Sequence, residues 1–307
     1  MDAPIEEVLV DAHWWELAGH HDPAAVTDAW RVLHYAAQAV AELGKGWAEE
    51  RADDSHSTLV WVPDHDRLHD QFFAGRLSVG ERPARVVLRP WDMQLFLVDA
   101  QGEPLDSVGL EGKTSDDSVA WVRERGLSLL GEARQASRAA PDLPEHPLGR
   151  GASFSEPNQL AVAEMIRLYS NTDALLQALI ESVAGEGDGH AEALIWPHHF
   201  DLASLLIVDR ASDGSMASTV GVGLTPPDAL VDEGYWYVSP WSSRPVDGRG
   251  VPPLDAGRWI ERAGALPVAV LPTSAVTSSQ DPAVQQRRVA WFVASAYRAC
   301  RKALADG

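Results

Sequence analysis

Cysteine is almost absent from this chain. Cys300 stands alone among 307 residues, so no internal disulfide can form, and a reducing compartment such as the cytoplasm is the expected setting. Positive charge is scarce too: 25 Lys and Arg face 45 Asp and Glu, a formal charge of -20, and the only lysines are Lys45, Lys113 and Lys302. A chain so poor in clustered cations is not expected to bind nucleic acid or an anionic membrane face. No stretch approaches the ~18 consecutive apolar residues of a spanning helix. Nor is there a basic start followed by an apolar run that would read as a secretion signal. The strained Gly-x-Ser-x-Gly turn of a serine hydrolase and the His-Glu-x-x-His spacing of a zinc enzyme are also missing.

What is present is enough apolar material, 45% of residues, to bury one large core or two smaller ones. Asp22-Pro23 supplies a cap and a proline at the first helical position, and Val26, Trp30, Leu33, Ala37 and Ala41 recur at helical spacing, which predicts a helix over 23–43 with His34 on its apolar stripe. Ser57 to Val62 reads as a strand. Arg85–Leu88 and Gln94–Val98 read as a hairpin around Pro90-Trp91-Asp92, and Leu105–Leu110 as a further strand. A helix capped by Thr114 or Ser115 follows, running to about Ala136. The breaker-rich stretch 141–157 reads as a linker or covering loop between an N-terminal half, 1–140, and a C-terminal half, 158–307. Beyond it come a long helix to Val183, strands at 192–196, 203–208, 217–224, 234–238 and 266–271, and a closing helix opened by Asp281-Pro282. Residues 239–257, rich in Pro and Gly, read as a long loop. The expected fold is α+β, antiparallel sheets flanked by long helices, in two halves that form either a pseudo-repeat or one compact unit.

The most distinctive segment is Ile195-Trp196-Pro197-His198-His199-Phe200-Asp201-Leu202, directly after an expected buried strand. Val60-Trp61-Val62-Pro63-Asp64-His65-Asp66-Arg67-Leu68 echoes its Trp, Pro, His and Leu, which suggests an internal duplication. With the elements in order, Leu33-His34 with Gln38 and Val40, Phe200-Asp201-Leu202-Ala203, Tyr235 and Tyr237 with Pro240, and Leu271-Pro272 with Ala275-Val276 before Asp281-Pro282 stand out. Together these strings resemble an uncharacterised, largely actinobacterial family of domains of unknown function. The family's His-Trp-Trp is replaced here by Ser57 to Trp61, and His198-His199 lengthens the segment before Phe200. The resemblance implies no known activity.

Two kinds of site are compatible with these residues. If the strand continues past Trp196, His199 and Asp201 share one face. With His65 and His69, four apart, they could then supply two imidazoles and a carboxylate to a divalent metal, and a metal-dependent hydrolase would use His65, His199 and Asp201. Alternatively Trp196, His198, His199, Asp201 and Trp241 line a pocket for a small molecule, the Trp241 ring being offered by the 239–257 loop. The plain reading is a non-catalytic structural or interaction module, a homodimer being compatible with it, in which these polar groups satisfy neighbouring backbone. Cys300, among Val293, Ala296, Tyr297 and Leu304 on an apolar stripe, is expected to be an inert core thiol.

Overall fold

A computed structural model describes residues 5–10, 15–51, 53–63, 71–76, 83–134, 141–184, 192–244 and 251–306. Among them are six helices, α1 (Ile5–Val10), α2 (Pro23–Trp47), α3 (Ser115–Leu130), α4 (Gln159–Val183), α5 (Thr273–Thr277) and α6 (Pro282–Asp306). The strands are β1 (Leu59–Val62), β2 (Phe72–Gly75), β3 (Ala84–Arg89), β4 (Gln94–Asp99), β5 (Pro104–Gly109), β6 (Leu194–Trp196), β7 (Asp201–Arg210), β8 (Met216–Thr225), β9 (Tyr235–Ser242), β10 (Arg258–Arg262) and β11 (Ala265–Pro272). The chain is α+β, with antiparallel sheet and long helices. It divides into two compact units, the first formed by 21–166 with 194–201, the second by 1–20, 167–193 and 202–307.

In the first unit the strand order is β6-β1-β2-β3-β4-β5, every neighbour antiparallel. The Asp22 side chain caps α2 by accepting from the Ala24 amide, with Pro23 at the first position. The helix packs on β2 and β3 by one side and on α3 by another. That double cover explains why every residue from Leu33 to Leu43 is buried, polar ones included. Gly44 permits the approach of a neighbouring loop, for a Cβ there would lie 2.3 Å from the His56 carbonyl oxygen. α3 opens with a capping box, Asp117 N donating to Thr114 Oγ1 at 3.1 Å and Thr114 N to Asp117 Oδ2 at 2.8 Å. It ends at Gly131, whose φ of 82° suits glycine.

The stretch 141–157 is a covering layer rather than a boundary. Tyr35 Oη donates to Pro144 O at 2.9 Å, Leu148 and Phe154 are buried, and Ser153 and Phe154 bridge to Thr114 and Glu111. The division into units falls instead between Ile166 and Arg167, inside α4, and the chain re-enters the first unit at 194–201. Its many prolines and glycines prevent regular backbone pairing without preventing packing.

In the second unit the order is β10-β11-β9-β8-β7, again antiparallel throughout. α6 packs on β8, β9 and β11. Trp236 is buried on β9 and donates through Nε1 to Thr172 Oγ1 at 3.0 Å. The expected loop over 239–257 is corrected at its start, because β9 runs on to Ser242 and Thr219 pairs with Trp241. Pro240 is tolerated in it because the ladder with β11 spans only Tyr235 to Val238, leaving Pro240 no donor to supply on that side. Residues 245–250 of that stretch lie outside the described residues, and β10 begins at Arg258. Cys300 is buried, and burial pushes its thiol up to about 12, consistent with an inert core residue.

Candidate functional site

The segment after β6 does not continue as a strand. His199 N and Phe200 N both donate to Trp196 O, at 3.1 and 2.6 Å, and Phe200 takes a φ of +57°, a left-handed conformation that costs a non-glycine residue about 1 kcal/mol. Burial holds it there. The Phe200 ring stacks on His34 with centroids 5.3 Å apart and lies 5.2 Å from that of Phe73. Because the chain turns, the expected shared face of His199 and Asp201 is not formed. His199 is exposed and Asp201 is buried.

The turn also aims the Pro197 carbonyl at α2. His34 Nε2 and Gln38 Nε2 meet that oxygen at 2.9 and 2.6 Å. A carbonyl only accepts, so His34 Nε2 carries the proton. Burial lowers the His34 pKa to about 4, outweighing the upward pull of the Pro197 hydrogen bond, with the His199 and His198 charges lowering it further; the ring is neutral. Gln38 Nε2 donates also to His34 O at 3.1 Å, and Gln38 Oε1 accepts from Lys45 Nζ at 3.1 Å. One turn of helix away, Glu42 Oε1 is held by Arg123 Nε at 2.6 Å. Burial lowers the Lys45 pKa, a shift that Glu42 opposes and Arg123 assists.

Gln38, Glu42 and Lys45 of α2, Val119 and Arg123 of α3, and Pro197 with His198 of the turn line one cleft of about 710 Å³. It lies wholly within the first unit. Of the expected pocket residues, His198 lines it; Trp196, half-buried, donates through Nε1 to Asp53 O at 3.4 Å beside it; His199 and Asp201 do not line it. Trp241 is 50% exposed on β9 of the second unit and is not among its lining residues. His65 and His69 lie outside the described residues, and among the described residues no three His, Cys, Asp or Glu side chains are grouped as metal ligands.

The echo between the two Trp segments does not carry over to the sheet. Directly paired residues of antiparallel strands share a face, and faces alternate along each strand. Leu59 pairs with Ile195, so Trp61 shares the face of Ile195 while Trp196 belongs to the opposite one. The two tryptophans are therefore not structural equivalents.

Sequence reasoning placed His34 on a buried stripe but missed Glu42, Lys45 and Arg123. The available signal was the row His34, Gln38, Glu42 and Lys45, polar side chains three and four apart along an otherwise apolar helix. Comparison with known proteins adds nothing to this geometry: no family model, no curated protein and no solved structure matches the chain.

Proposed function

We propose that the protein binds a small polar molecule in the cleft between α2, α3 and the 197–198 turn. The observation that carries this reading is a pre-positioned lysine in a concave site of ligand size. The volume of about 710 Å³ falls within the range of small-molecule pockets, and a charged group whose pKa is displaced by burial in a cleft is a candidate functional group. Lys45 makes a single protein hydrogen bond among the described residues, to Gln38, and Arg123 uses Nε on Glu42. Among the described residues, further N–H donors of both remain for a ligand, and they would receive an acidic group although Glu42, Asp54 and Asp116 line the same cleft. Setting this activity in the reducing cytoplasm is supported by the lone, buried Cys300.

Val119, half-buried on α3, offers the test. A ligand-observed NMR screen of small organic acids against the full chain is expected to find binders whose signals are lost with Val119→Trp, which fills the cleft while leaving the α2 row untouched. Binding that survives this substitution, or none across the panel, overturns the reading.

A further inference from the structure

Gln38, Lys45 and Arg123 in the cleft differ in what holds them, and that difference specifies a chemistry. Both N–H groups of the Gln38 amide are committed to carbonyl oxygens, His34 O and Pro197 O. Rotating the amide by half a turn would set Oε1 against those two oxygens, so Oε1 must face Lys45. Among the described residues Lys45 Nζ is therefore hydrogen-bonded only by a neutral acceptor, at 3.1 Å, while the Glu42 and Asp54 carboxylates act on it through space. The acid nearest along its own helix face, Glu42, is engaged by Arg123 at 2.6 Å. A lysine fixed in place at the wall of a cleft with no carboxylate bonded to it among the described residues has the arrangement of an amine nucleophile rather than of a salt-bridge partner.

Resting on the cleft being a ligand site, we propose that Lys45 Nζ forms an imine with a small carbonyl compound that carries a carboxylate, the carboxylate being received by the terminal nitrogens of Arg123. The nitrogen lone pair adds to the carbonyl carbon, forming a C–N bond as the C=O π pair moves to oxygen. A proton passes from nitrogen to that oxygen to give the carbinolamine. Loss of water, its oxygen being the former carbonyl oxygen and its hydrogens both coming from the amine, then leaves C=N. Nothing is oxidised or reduced, and hydrolysis reverses the step. The downward displacement of the Lys45 pKa by burial acts in the same direction, by raising the fraction of free amine.

The small number of lysines makes the test clean, since Lys113 and Lys302 serve as internal references. The full chain is incubated with glyoxylate and a mild hydride reductant at neutral pH, and the secondary amine formed is located by peptide mass mapping. The expected result is an adduct concentrated on Lys45, absent in Lys45→Arg and several-fold slower in Arg123→Ala, both variants being checked for native circular dichroism. Absence of an adduct, or labelling of Lys45 no faster than of Lys113 and Lys302 in the unmodified chain, overturns the proposal whatever the variants do. Glycolate, with a hydroxyl in place of the aldehyde, separates the two ideas. If glycolate binds by calorimetric titration and loses binding with Val119→Trp while glyoxylate forms no adduct, the imine falls and the binding site stands; if glyoxylate forms no adduct and no acid of the panel binds, both fall.

Discussion

His34 is neutral because it is buried, and its protonation opposes folding. Its pKa in the folded chain, about 4, lies below its ordinary 6.5, so between those values the unfolded chain binds more protons and stability rises with pH. The contribution, about 3 kcal/mol, is complete above pH 6.5 and is lost as the pH falls toward 4. The groups facing the ring are the Pro197 carbonyl, His198, His199 and, along α2, Lys45. Urea unfolding at pH 6.5 and pH 4 is expected to show a smaller loss for His34→Gln than for the unmodified chain, by about that amount. An equal loss in both would mean that His34 does not titrate in this range.

At the scale of elements, α3 depends on its first turn more than its composition suggests, because it buries only Ser118, Val122 and Gly126. The reciprocal Thr114 and Asp117 bonds satisfy amide donors that would otherwise be open at the helix start. Thr114→Ala is expected to lower stability by about 1 kcal/mol in thermal unfolding, and, since Val119 and Arg123 are carried by this helix, to weaken ligand binding at the cleft. The long elements were legible: the Asp-Pro starts and helical spacing anticipated α2 and α6, and the alternating hairpin anticipated β3 and β4. β2 and β10 were not, for Phe72-Phe73-Ala74-Gly75 shows no alternation and Arg258–Arg262 sits beside a breaker-rich stretch, so each is a strand by virtue of its partners. Whether the strand runs on past Trp196 stays open in the sequence, because Phe200 gives no local signal for a positive φ. Its burial against His34 and Phe73 imposes one.

Across the whole molecule the dominant quantity is the formal charge of -20. Self-repulsion of that size disfavours the compact state, and added salt screens it, the Debye length shrinking from about 30 Å at ~0.01 M to about 8 Å at ~0.15 M. The melting temperature is therefore expected to rise over that range of sodium chloride in a calorimetric scan; a flat or falling trend would show that local ion pairs such as Arg125–Asp106, at 2.6 Å, outweigh the net charge.

By itself the sequence determined the class of fold, the long helices with their caps and the apolar setting of Cys300, because these follow from spacing and residue type within one element. It also determined the net charge of -20, which needs only a sum over residues. The cleft was decided by tertiary structure alone. Glu42 and Arg123 are 81 positions apart and Gln38 and Pro197 are 159 apart, and no local pattern can state that such groups meet. What brings them together is the packing of α2 on the sheet and on α3, together with the turn that carries Pro197 back over the same helix.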